Sequence, residues 1–327
     1  MVDLPPQTGN GLPQQVTRAT ESRGLLRGRL WLPPLVSGAL VGWLVWRVSP
    51  RALLEAAARL DLAVVVPATL GLVAALYLWD AVCLRWLFAQ SRPGVAYATA
   101  LRARGTSYLA GVVNYELGQA AAAWLMARRL GIGLVPALGC FVVLGLHDVA
   151  ALLSLGLIGS LGGSDARAAA LRPWCAAGLA VLLLGLALAR RAPRSWRQRL
   201  AGTRWGAALG GWRCAQSLRL YGLRVAYFGI TLLYAAAGLG LCGVAVDRGV
   251  VLGVIPLVLL ADGLPVSVSG LGTRETALLF LLRPEHPEVV LAWSLAWSAG
   301  LLVGRAGIGL ASLWLGEPPA ERKEDQP

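Results

Sequence analysis

The 327-residue chain is 57% hydrophobic and 14% charged, with a formal net charge of +13 and a mean hydropathy of +0.63. That balance excludes an ordinary water-soluble domain, in which about a quarter of residues are charged, and several apolar runs approach or exceed the roughly 20 residues that a bilayer span requires. Lys323 is the sole lysine among the cations; with the abundant Ala, Gly, Leu and Val, this arginine bias reads as composition and as the basic loops of a membrane protein, not as nucleic-acid recognition.

In chain order, residues 1–30 carry Pro5, Pro6, Gly9, Gly11 and Pro13, then Arg18, Arg23, Arg27 and Arg29. This is a disordered basic tail, too long and too polar for the n-region of a cleaved signal peptide, so the first span is expected to be retained with the N-terminus in the cytoplasm. Spans are expected at 31–46, 62–79, 135–159, 174–189, 225–246, 250–261 and 289–315. A weaker run at 108–126 contains Asn114 and Glu116. The polytopic domain covers 31–316, and 317–327 form a polar cytoplasmic tail.

Residues 190–224 hold nine arginines and no acid, which assigns that loop to the cytoplasm. Arg85, Arg92, Arg102 and Arg104 are assigned there as well. A full crossing at 108–126 would put the nine-arginine loop outside, so the economical reading is a re-entrant hairpin. The apolar stretch 250–261 rises only about 18 Å as a helix, short of the hydrocarbon thickness, before Asp262 and the break Gly263-Leu-Pro-Val-Ser-Val-Ser-Gly-Leu-Gly-Thr-Arg-Glu-Thr276. The expected fold is an all-α integral membrane protein. It has about six full transmembrane helices and two opposed re-entrant helical hairpins, an arrangement compatible with an inverted repeat whose binding site lies where the broken helices meet.

Non-helical backbone and ionisable groups at membrane depth are tolerated only inside protein or beside a polar cavity. Gly270 and Gly272 permit a sharp turn, and Thr273 begins a helix whose first turn carries Arg274 and Glu275. Free amides at that helix start, with Arg274, make an anion site suited to phosphate, while Glu275 caps the helix or meets a cationic headgroup. Alternatively Arg274 and Glu275 pair only to hold the hairpin. Pro265, Ser267 and Ser269 shape the break, and Asp262 starts it. Asn114, Glu116, Gly118 and Gln119 form either the polar tip of the first hairpin or a polar clamp between helices. His147 and Asp148 lie mid-span, as a proton relay or as an interhelical pair. Cys83, Cys140, Cys175, Cys214 and Cys242 have no metal-ligand spacing and read as structural thiols. There is no Walker loop and no G-x-S-x-G elbow. No cofactor, metal or nucleic-acid partner is expected.

The stretch Leu264-Pro-Val-Ser-Val-Ser-Gly-Leu-Gly-Thr-Arg-Glu-Thr-Ala277 resembles the late motif of the flippase-like transmembrane family, the membrane region of lysylphosphatidylglycerol synthases and their stand-alone relatives. Tyr108-Leu-Ala-Gly-Val-Val-Asn-Tyr-Glu-Leu-Gly-Gln119 and Trp124-Leu-Met-Ala-Arg-Arg-Leu-Gly131 are similar to its earlier signature, although the Glu and Arg that many relatives carry after the Gly-rich break are replaced here by alanines. The chain stops at Pro327 without a soluble aminoacyl-transferase domain. The resemblance therefore implies lipid translocation in a bacterial inner membrane, with anionic lipid headgroups as partners, rather than lipid aminoacylation. A membrane transferase acting on a polyprenyl-linked or lipid substrate, and a scaffold for an envelope enzyme, stay open beside it.

Overall fold

The structure, a computed structural model, describes residues 33–162, 166–191, 214–244, 247, 249–263 and 267–315. The tail 1–30, most of the basic loop, Pro265 and the tail 317–327 lie outside the described residues. Within them every regular element is helical.

Helix α1 covers residues 33–48. It is followed by the short α2 (Pro50–Arg59) and by α3 (Leu62–Ala89), α4 (Tyr97–Val113), α5 (Tyr115–Leu130), α6 (Leu134–Gly162), α7 (Ala166–Arg191) and α8 (Cys214–Leu241). A π-helical turn (Val250–Val254) leads into α9 (Ile255–Asp262), and α10 (Thr273–Leu282) and α11 (Pro287–Trp314) complete the fold. Five helices (α3, α6, α7, α8 and α11) are long and apolar enough to cross a bilayer, so this is a multi-pass membrane protein by helix length and hydropathy.

The solvent-facing chemistry agrees. On α7, Val181, Leu183, Leu184 and Leu188 are all more than half exposed; such an apolar surface, unfavourable in water, is what lipid covers. The interior is built by α3, α8, α9, α10 and α11, where Leu72, Leu232, Val258, Leu278, Trp293 and Trp297 are buried together. A second cluster under α5 and α6 contains Phe88, Met126, Phe141 and Leu144.

Two pairs of shorter helices fold back on themselves. α4 and α5 break at Asn114, whose backbone is extended (φ −157°) and whose Oδ1 accepts from the Glu116 and Leu117 amides, starting α5 as an N-cap. The arms then close tightly: a Cβ added to Gly118 would stand 2.7 Å from the Gly111 Cα. The second pair is α9 and α10. The π-turn and α9 together run 13 residues, about 20 Å by helical rise, and α10 has ten.

Three sequence expectations are corrected. The basic loop is shorter than 190–224: Arg190 and Arg191 finish α7, while Arg219 and Arg224 belong to α8. The second span does not end at Trp79 but continues through Asp80 to Ala89, because Asp80 finds cations inside the protein. Arg104, expected in a cytoplasmic loop, is buried within α4. The positive-inside rule counts charges in loops, and Arg104 and Arg224 belong to helices.

Candidate functional site

Two clusters of buried charge occupy the interior. The first joins five helices. Asp80 on α3 is an ion-pair partner of both Arg104 on α4 and Arg224 on α8, and Arg224 Nη1 donates to Asp80 Oδ1 at 2.9 Å. Arg224 also pairs with Asp148 on α6, and its guanidinium lies 4.0 Å from the Tyr227 ring centroid. Arg104 Nη1 donates to Gln119 Oε1 at 2.9 Å, and Gln119 Nε2 donates to the Tyr115 hydroxyl at 2.5 Å. Two guanidinium groups thus meet two carboxylates, with the first helical pair held to the long helices through them.

The second cluster lies around the break between α9 and α10. Gly270 and Gly272 have φ of +81° and +92°, the left-handed region that only glycine enters without strain. A Cβ on Gly270 would fall 1.4 Å from Asp262 Oδ1, so the missing side chain also makes room for the carboxylate. α10 then starts with Glu275 Oε2 accepting the Gly272 amide at 2.6 Å, and Thr273 Oγ1 hydrogen-bonds with Ser267 Oγ at 2.9 Å. Arg274 Nη2 donates to Asp262 Oδ2 at 2.5 Å and Nη1 to Ser298 Oγ at 3.1 Å, with Trp297 beneath the guanidinium at 4.4 Å. Glu275 Oε1 accepts from Ser294 at 3.1 Å and Ser298 at 2.7 Å.

Arg274 and Glu275 are wholly buried, whereas the Asp262 side chain is 21% exposed. Arg274 Nε and Asp262 Oδ1 are buried without a hydrogen-bond partner among the described residues. One guanidinium therefore faces two carboxylates, and hydrogen-bonding capacity is left over.

The tips of the two helical pairs touch. Ser269 Oγ donates to the Gly111 carbonyl at 2.9 Å, and the Val268 amide donates to Ser37 Oγ on α1 at 2.8 Å. The sequence-selected residues are thus distributed. Asp262, Ser267, Ser269, Gly270, Gly272, Thr273, Arg274 and Glu275 gather at the second break. Asn114 caps α5, Gly118 packs on Gly111, Gln119 belongs to the first cluster, and Glu116 is exposed. His147 and Asp148 part: His147 Nδ1 lies 2.7 Å from the Val143 carbonyl, while Asp148 meets Arg224.

Sequence reasoning missed Arg104, Arg224, Ser294 and Ser298 as members of these clusters. An isolated Asp80 inside an apolar helix was the available signal that a buried cation had to exist. Arg305 on α11 also lies inside; its guanidinium is 5.8 Å from the Tyr108 ring centroid, and no carboxylate among the described residues pairs with it. No protein-family model, curated protein or solved structure matches this chain.

Proposed function

We propose that this protein moves the headgroup of a phospholipid or lipid-linked compound from one leaflet of the membrane to the other. The observation that carries this reading is the pair of broken-helix hairpins that meet tip to tip, with a buried charge cluster on each. About 15 Å of helix separates the clusters along α8, between Arg224 in the first and Tyr234, which packs against Trp293 and Trp297, beside the second. Polar groups at successive depths are what a headgroup needs in place of water, and opposed broken helices with a binding site at their junction are a recurring transporter design.

In this reading both hairpins are re-entrant, six helices including α1 cross fully, and the N-terminus is cytoplasmic. The crossing scheme requires the ends of α1 and α10 to face the same side, and Arg47 and Arg283 lining one cleft supports it. The resemblance of the residues around Arg274 to the flippase-like family points to the same class of cargo.

The second cluster does the exchange. Arg274 releases Asp262 and takes the phosphate, and Asp262, the exposed member of the pair, swings toward the polar route. Its carboxylate and that of Glu275 exceed the single guanidinium by one negative charge, which a headgroup ammonium neutralises while phosphate is bound elsewhere on the path. The Ser269 to Gly111 contact is the gate between the two clusters.

Purified protein in liposomes carrying fluorescent anionic, zwitterionic and sugar-linked lipids is expected to speed transbilayer movement of at least one of them, with Asp262→Asn slower. No movement of any species above protein-free liposomes would end this reading; equal movement by Asp262→Asn would keep it and remove the second cluster from the path.

A further inference from the structure

The last turns of α1 and α10 enclose a cleft of about 690 Å³, within the usual range of small-ligand sites. Trp43, Leu44 and Leu279 form its apolar wall with Phe280, and Arg47 and Arg283 bring two cations to it from separate elements. Each guanidinium is held against an aromatic ring, Arg47 at 5.4 Å from the Trp43 centroid and Arg283 at 5.9 Å from that of Phe280. Among the described residues no carboxylate forms an ion pair with either; the nearby Glu288 pairs with His286.

The position of Arg283 is itself unusual. It ends α10 with φ of +43°, in the left-handed conformation where a helix C-terminus normally places glycine. Nothing about the backbone calls for an arginine there.

Both arginines stand at helix ends beside the exposed aromatic rings of Trp43, Trp46 and Phe280. Tryptophan and long cationic side chains concentrate at the depth of lipid headgroups. Guanidinium forks match the oxygens of a phosphate. The apolar wall below them offers nothing to a free anion but suits acyl chain. We infer that this cleft binds an anionic phospholipid, its phosphate bridging Arg47 and Arg283 and its chains lying along Leu279 and Phe280. The cleft runs along α10 from Thr276 to Arg283; its two arginines are not members of the Arg274 cluster, and the inference does not require translocation, since binding alone is read.

The test uses the full chain in nonionic detergent micelles, titrated with dilauroyl phosphatidylglycerol, with bound lipid counted by native mass spectrometry. Dilauroyl phosphatidylcholine is the comparison, because its ammonium is repelled by the two cations, and sodium phosphate is the soluble competitor. Phosphatidylglycerol should bind about tenfold more tightly than phosphatidylcholine, and Arg47→Gln and Arg283→Gly should each weaken it by about tenfold, the scale of a charge-assisted hydrogen bond. Arg283→Gly should unfold at the same or a higher temperature than wild type, since glycine suits the left-handed backbone; this separates lost binding from lost folding. Equal binding of the two lipids, undiminished binding in either variant, or displacement by sodium phosphate at equal concentration would overturn the inference, the last by making the cleft a free-anion site.

Discussion

The two buried charge clusters are made of the same groups yet differ in balance. In the first, Asp80 and Asp148 match Arg104 and Arg224. The second sets Asp262 and Glu275 against Arg274 alone. Each cluster holds buried atoms without a hydrogen-bond partner among the described residues, Asp80 Oδ2 and Arg104 Nε in the first and Asp262 Oδ1 and Arg274 Nε in the second, so the charge count is what tells them apart. Burying a charge costs several kcal/mol unless partners replace its hydration, so a matched set is stable only as assembled and belongs to the scaffold. An unmatched set at a glycine-rich break carries a surplus carboxylate that a cationic partner can neutralise. Burial alone would have ranked them together; stoichiometry of charge separates a clamp from a site.

If that contrast is right, the largest stability effect belongs to the matched cluster. Asp80→Ala leaves Arg104 and Arg224 without their shared carboxylate and should cost about 3–5 kcal/mol, read as a large fall in unfolding temperature and folded yield in detergent. A loss below about 1 kcal/mol, the worth of an exposed pair, would break the comparison. Gly270→Ala comes next. It places a Cβ on Asp262 Oδ1 and strains a φ of +81°, an effect of about 1–3 kcal/mol. Adding Asp262→Ala should restore part of the loss, since the two share one space and will not be additive. Asp262→Asn sharpens the contrast from the functional side. It keeps the volume and one acceptor for Arg274, so stability should change by about 1 kcal/mol or less, while lipid movement in liposomes falls about tenfold, equivalent to roughly 1.4 kcal/mol.

The sequence carries the scaffold of this arrangement where the signal is local. Apolar runs marked α6 and α11 to within three residues, because lipid-facing and core-facing positions are both apolar. The helix start at Thr273 was legible from Gly272 before it and Glu275 three residues on from that glycine, and Asn114 marked the first break because its side chain caps α5. Arg104 and Arg224 were illegible for the opposite reason. Each stands beside other arginines that look like a cytoplasmic loop, and the carboxylate that buries them, Asp80, is 24 residues before one and 144 before the other. Ser294 and Ser298 are ordinary small residues in an apolar helix until Glu275 is packed against them. The wall between the two groups is the sequence separation of the charges, not their chemistry.

The smallest predicted effect tests the joint between the clusters. Ser269→Ala removes the single hydroxyl that donates to the Gly111 carbonyl across the hairpin tips. Ser269 already has a positive φ of 47°, and alanine has no greater difficulty there than serine, so only the hydrogen bond is lost. A bond of this kind contributes about 0.5–1.5 kcal/mol. Were the contact merely structural, unfolding temperature would fall slightly and lipid movement would fall with it. If the contact is the gate, the same loss lowers the barrier to separating the tips, and movement should rise about two- to tenfold by the same energy while stability drops. Opposite signs in the two measurements from one variant would tie the unmatched cluster to the matched one through the tip contact; parallel falls would leave them as independent features of a single fold.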